Sequence, residues 1–233
     1  NYLEKGTEKV LKDQKVAENQ VFETVINTQD EIVDIDGYYY DSADKENITI
    51  VTDESLNVIN IYYTKRNDLS YVVNYLEKDT NEILSEQKKV EGQTFESVIK
   101  SADEIIDIYG YNYDSVNVDE LVITTGENVI NIYYTKKDTS VLVHHYEYGT
   151  RNELSEDVVI LGKVFDEYQT HVAEDIPSKY EVVGIPENSY GTMTEEQIVV
   201  DYYYIKKPTQ LIVHHYEEGT TYKLSENVII DGR

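Results

Sequence analysis

Tyrosine is the residue type whose number and placement invite a chemical reading: 23 tyrosines stand against 3 phenylalanines and no tryptophan. A tyrosine ring beside a carboxylate suits a sugar, because the ring stacks on the apolar face of the pyranose while the carboxylate accepts its hydroxyl groups. Tyr62, Tyr133 and Tyr203 hold the same place in IYYTK, IYYTK and YYYIK, and Tyr39 lies in the separate stretch YYYDS. Neighbouring side chains of a strand face opposite ways. Tyr39, Tyr62, Tyr133 and Tyr203 are therefore the outward, ligand-facing candidates, while Tyr63, Tyr134 and Tyr204 point into a core. The same alternation puts Tyr38 with Tyr40, and Tyr111 with Tyr113, on an inner face. A purely structural role competes with the sugar reading, since exposed strand tyrosines form cross-strand pairs worth roughly 0.2–1 kcal/mol.

Other chemistries are poorly served. His144-His145 and His214-His215 are adjacent on strands, so their rings diverge, whereas zinc needs three or four converging ligands; His145 replaces Tyr75 at an inward position. With no cysteine, disulfides and thiolate metal sites are excluded. The acidic pairs Asp53-Glu54, Asp103-Glu104 and Glu195-Glu196 match no calcium-loop spacing and read as solvated loop charge. Each pair lies in one loop rather than across a cleft, as glycosidase acids must. No phosphate loop, nucleophile elbow or His-Glu-x-x-His motif occurs. The reading is a non-enzyme with no cofactor and no metal.

The elements that position the tyrosines recur. NVINIYYTK stands at Asn57–Lys65 and again, unchanged, at Asn128–Lys136, 71 residues later. NYLEKGTEKVL (Asn1–Leu11) returns as NYLEKDTNEIL (Asn74–Leu84), and DIDGYYYDS as DIYGYNYDS, both 73 residues on. A more diverged copy opens at LVHHYEYGTRNELSE (Leu142–Glu156), and the start of another at IVHHYEEGTTYKLSE (Ile212–Glu226). The expected modules are 1–68, 69–138, 139–208 and a partial 209–233, so the sequence reads as a piece of a longer array. The lack of a signal-peptide start reads the same way.

Each copy is mostly β. NVINIYYT alternates, YVVNYLE supplies an opening strand, and QKKVEG or VVILG supplies its hairpin partner. Phe95, Val98, Ile99 and Ala102 follow helical spacing, which predicts a helix over Phe95–Ile105. The basic pairs Lys65-Arg66, Lys136-Lys137 and Lys206-Lys207 end each copy and read as junction charges facing acidic neighbours.

The third copy carries a family resemblance. Its Val-x-Val-type opening strand, the turn Gly191-Thr192-Met193-Thr194 and the closing strand Ile198–Tyr204 resemble the mucin-binding-protein (MucBP) repeats of Gram-positive surface adhesins. The Ile-x-Gly-Tyr element of those repeats is matched by Ile35–Tyr38 and Ile108–Tyr111, whereas the third copy has Ser178-Lys179 at the glycine's place. The resemblance implies tandem small β-grasp-like (ubiquitin-like) modules with central, parallel first and last strands, arranged as an elongated rod. Modules of ~70 residues are roughly 28 Å across and three in line reach ~85 Å, against about 45 Å for one compact globule. It also implies an extracellular, cell-wall-attached location and a non-catalytic role.

Charge narrows the partners. The net charge of −26, from 46 acidic and 20 basic residues, repels nucleic acid and anionic membranes and favours a monomer. No apolar run approaches the ~20 residues that span a bilayer. The expected function is weak multivalent adhesion to mucin-type glycans or glycoproteins. The alternative is a ligand-free mechanical stalk that projects a distal domain from the wall.

Overall fold

The computed structural model describes residues 1–232. The chain divides into two compact units: Asn1–Ile108 with Asn112–Thr135, and Tyr109–Tyr111 with the residues from Lys136 onward. The strands repeat in sets. The first set is β1 (Tyr2–Glu4), β2 (Val10–Lys12), β3 (Val25–Asn27), β4 (Tyr38–Ala43), β5 (Asn47–Thr49) and β6 (Ile61–Lys65). The second is β7 (Leu69–Glu77), β8 (Ile83–Gln93), β9 (Val98–Lys100), β10 (Tyr111–Val116), β11 (Glu120–Val122) and β12 (Val129–Lys136). The third is β13 (Asp138–Glu147), β14 (Glu153–Lys163), β15 (Glu167–Gln169), β16 (Tyr180–Val182), β17 (Tyr190–Thr192) and β18 (Ile198–Lys206). A final hairpin pairs β19 (Gln210–Val213) with β20 (Val228–Asp231).

Each set folds the same way. Its four-stranded sheet runs β2-β1-β6-β4, β8-β7-β12-β10 or β14-β13-β18-β16, and its small two-stranded pair is β3·β5, β9·β11 or β15·β17. The first and last strands of a set are central and parallel, pairing Val72–Glu77 with Val129–Tyr134 and Val141–Glu147 with Ile198–Tyr204. Such a pair has no hairpin to close it and needs a long crossover, here the stretch that carries the edge strands. The hairpin partners expected at QKKVEG and VVILG lie in β8 and β14.

Alternation places the core as expected. Tyr63, Tyr134, Tyr202 and Tyr204 are buried with Ile61, Ile130, Ile132, Val141, Val143 and Val200. The inward tyrosines also tie down the crossover. The Tyr63 hydroxyl donates to the Val33 carbonyl (2.9 Å) and accepts from the Val33 N–H (3.1 Å). The Tyr134 hydroxyl does the same at Ile106, 2.9 and 3.2 Å. One phenol thus satisfies both polar groups of a residue that has left the sheet, as buried backbone requires. The first residue of the repeated nonapeptide works similarly: the Asn57 side chain bonds the N–H and carbonyl of Val51, and Asn128 those of Thr124.

Two expectations fail and a third holds only in part. The helix over Phe95–Ile105 is absent; a turn at Phe95–Glu96, strand β9 and a 3-10 turn at Ser101–Glu104 replace it. The apolar spacing reflects alternation in β9, whose middle residue Ile99 is the more buried, followed by a tight turn. Glu104 is not solvated loop charge: it is buried, accepting from the Tyr71 hydroxyl at 2.8 Å and Lys88 at 2.5 Å. Burial and that carboxylate push the Tyr71 phenol up to about 12. Tyr40 and Tyr113 do face Tyr63 and Tyr134, edge-on at 6.3 and 6.4 Å, yet both stay exposed because they lie on edge strands.

Tyr134→Phe leaves the Ile106 N–H and carbonyl unpaired, and should cost about 1–3 kcal/mol, read as a lower denaturation midpoint with an unchanged slope. His145 gives a pH test. It is buried, stacked 5.3 Å from Tyr202 and bonded to the Tyr204 hydroxyl at 2.9 Å, and burial lowers its pKa below 6.5. The native state therefore binds fewer protons than the unfolded state, so stability is full above pH ~6.5 and falls as pH drops below it. His145→Tyr, the residue found at Tyr75, should remove that part of the acid sensitivity, measured as the difference in melting temperature between pH 7.5 and 5.

Candidate functional site

The outward faces of the central strand pairs hold Tyr62, Tyr133 and Tyr203, each on its own sheet. The structure does not bring these three together on one strand pair. In the first two sets the face is amide-rich. Asn1 donates to Asn60 at 2.8 Å, and Asn60 to Asp44 at 2.9 Å. One set on, Asn74 donates to Asn131 at 2.8 Å and accepts from Gln87 at 2.6 Å. Tyr62 and Tyr133 sit beside these ladders, half-buried, opposite Leu3 and Leu76.

Tyr39 shares a face with Thr64, near Tyr62, through the register of β4 on β6. Its hydroxyl donates to Asp68 at 2.7 Å and its ring lies 5.2 Å from the Arg66 guanidinium carbon. Arg66, then Tyr39, hold the Asp68 carboxyl down at about 2. Tyr39 and Asp68 thus already satisfy one another.

The third set differs. In the parallel register, His144 stands opposite Asp201 and Tyr146 opposite Tyr203. The His144 and Tyr146 rings are 5.2 Å apart, Tyr146 and Tyr203 6.3 Å, and Tyr148 meets Tyr203 edge-on at 6.1 Å. His144 Nδ1 is 2.6 Å from the Asp157 carboxylate. The Tyr203 hydroxyl donates to Asp201 Oδ2 at 3.4 Å, while Asp201 Oδ1 is inaccessible and has no protein partner. Tyr203 and Tyr148 are exposed. The result is a strip of aromatic rings along a sheet face, edged by two carboxylates. It offers ring faces for stacking, with the Asp157 carboxylate and Asp201 Oδ2 as acceptors for hydroxyl groups.

Sequence reasoning singled out Tyr203 but missed its neighbours Tyr146, Tyr148, His144, Asp157 and Asp201. The signal was present in HHYEY, where His144, Tyr146 and Tyr148 alternate with inward His145. What it lacked was the register that sets β18 beside them. An open recess elsewhere in this unit, lined by Glu167, Tyr168, Gln169, Tyr190, Gly191 and Thr192, holds one carboxylate. Among the described residues no cluster of His, Asp and Glu is arranged to hold a metal ion, and no helix is long and apolar enough to cross a membrane.

Among solved structures, the chain is similar to Mub-RV, at 13% identity and TM-score 0.24, covering 60% of this chain and 99% of that one. A type 2 repeat of the mucus binding protein MUB from Lactobacillus reuteri is similar at 11% identity and TM-score 0.23, covering 60% and 100%. The Bacillus anthracis TIE protein is similar at 12% identity and TM-score 0.45, covering 70% of this chain and 39% of that one. No curated protein matches the chain. The family model of the MucBP domain matches residues 140–205. That span runs from the opening strand β13 to the closing strand β18, and so contains the aromatic strip. Residues 140–205, the body of the third copy, belong to the MucBP domain family.

Proposed function

We propose that the chain is a non-catalytic segment of a bacterial surface adhesin, extracellular and attached to the cell wall, whose third copy binds mucin-type glycans. The observation that carries this reading is the strip His144–Tyr146–Tyr203–Tyr148 with Asp201 beside it, inside the segment that matches the MucBP domain. Rings in a row with flanking acceptors suit several sugar residues of an extended oligosaccharide, each bound weakly. Further copies bearing such a strip along one molecule would raise avidity without any tighter single contact.

The division into modules 1–68, 69–138, 139–208 and 209–233 belongs to the same proposal, as do a β-grasp-like fold for each and a rod-like series. The parallel central pair repeated in every set supports the first of these. A stalk is the second reading, and one observation favours it for the first two copies. Their outward amides bond each other, Asn1 with Asn60 and Asn74 with Asn131, which leaves little free to recognise a ligand. On this view copies one and two space out a binding copy three.

Binding of the chain to immobilised mucin and to a glycan array tests the proposal. Tyr203→Ala and Tyr146→Ala should each weaken binding by about 1–3 kcal/mol, the range for losing a well-packed aromatic contact. Tyr62→Ala and Tyr133→Ala should leave it unchanged. Equal losses from all four would spread the site over every copy, and no binding at high micromolar concentration would leave the stalk alone.

A further inference from the structure

Within the first unit, the end of one copy meets the next through a specific contact. Gly37 has φ +78°. A Cβ there would overlap the Phe95 ring, which packs edge-on to Tyr38 at 5.6 Å and joins the core of Tyr2, Tyr38, Ile61 and Tyr63. The linker residue Arg66 is clasped from both sides: its N–H donates to the Gly37 carbonyl (2.9 Å) and its carbonyl accepts from the Phe95 N–H (2.8 Å). Glu96 takes Lys65 at 2.9 Å and Lys9 at 3.1 Å, and Thr125 donates to Asp36 at 2.7 Å. Phe95-Glu96 is thus a knuckle, and Gly37-Tyr38 with two lysines is its seat.

The second unit holds the same pattern shifted by one residue. Lys137 bonds the Gly110 carbonyl through its N–H (2.8 Å) and accepts from the Val164 N–H (2.9 Å). Phe165, itself at φ +74°, covers Gly110 between Tyr109 and Tyr111. Glu195 accepts from the Gly110 N–H at 2.6 Å and Lys137 at 2.8 Å.

The first copy carries a knuckle with no seat among the described residues. Glu23 has φ +65°, like Glu96 at +62°. The Glu23 N–H donates to Ile50, as that of Glu96 does to Ile123, and the Thr24 N–H closes the turn onto Val21 as that of Ser97 does onto Thr94. The turn is fully built, yet Phe22 is 56% exposed and Val21 72%. Backbone in the left-handed region is costly for a non-glycine residue, so a turn held there at two equivalent places indicates a shared purpose.

We propose that Val21–Glu23 is a docking surface whose partner is the Ile-x-Gly-Tyr end of another module of this class. That partner supplies a left-handed glycine to receive the Phe22 ring, a tyrosine to flank it and lysines to hold Glu23. Among the described residues, a second copy of this chain offers no such end. Its Gly37 and Gly110 seats are filled, and the third copy has Lys179 at the glycine's place, with Lys207 bonded to its carbonyl and its ammonium 5.4 Å from the Tyr180 ring.

The test lengthens the chain by placing residues 1–73 ahead of Asn1, so that Tyr71-Val72-Val73 run into Asn1 as they natively run into Asn74. Amide exchange at Phe22 should slow by roughly tenfold or more in the longer chain, because its N–H gains the added Arg66 carbonyl. Phe22→Ala should lower the melting temperature of the longer chain and leave that of the native chain unchanged. Glu23→Gln, which cannot disturb the fold by creating a cavity, should recover part of the fast exchange. Unchanged exchange at Phe22, or equal effects of Phe22→Ala in both chains, would overturn the proposal. So would self-association of the native chain abolished by Phe22→Ala, which would assign the surface to a second copy of this chain.

Discussion

Everything in this architecture follows from pairing the first strand of a set with its last, side by side and in the same direction. Antiparallel neighbours close with a short turn, but a parallel pair must send the chain back across the sheet before the second strand can form. A long stretch makes that return in each set. Its order rests on few contacts: the phenol of the closing strand bonded to Val33 or Ile106, the asparagine amide bonded to Val51 or Thr124, and the small two-stranded pair. The inward tyrosines are therefore more than apolar bulk. A phenylalanine would fill the same space and leave the returning chain untied.

The inner and outer faces of the central pair obey different constraints. The inner face must fill a closed volume, so Ile61, Ile132 and Tyr202 are interchangeable only within packing limits. The outer face meets water, and its requirement is satisfied polar groups. Asn74 on Asn131 meets that requirement internally. His144 with Asp157, and Tyr203 with Asp201, meet it incompletely, leaving one oxygen of Asp201 without a partner. A single scaffold thus carries a ladder of paired amides on its outer face in two places and a strip of aromatic rings in a third.

Much of this was legible in the sequence where local periodicity decides structure. The alternation of NVINIYYT names the buried residues, and the verbatim recurrence of long stretches announces repeated folding units. Legibility ended where contacts join residues far apart in the chain. Glu104 reads as loop charge until Tyr71 and Lys88, 33 and 16 residues away, are brought against it. Tyr146 and Tyr203 become neighbours only through the parallel register of β13 on β18. The helical spacing of Phe95, Val98, Ile99 and Ala102 misled because two of those residues serve different partners: Phe95 packs under Gly37, while Ile99 pairs with Leu121.

The direction of the central strands has a mechanical consequence. In a parallel pair the chain enters at one end of the first strand and leaves at the opposite end of the last, so tension on the chain slides the two strands past each other. Their hydrogen bonds then lie across the direction of pull and share the load, instead of opening one at a time as in an unzipping hairpin. In the third set that shear joint runs through seven residue pairs, from Val141 with Ile198 to Glu147 with Tyr204, and the aromatic strip sits on the same joint. A load borne by the chain would thus pass directly beneath the aromatic strip.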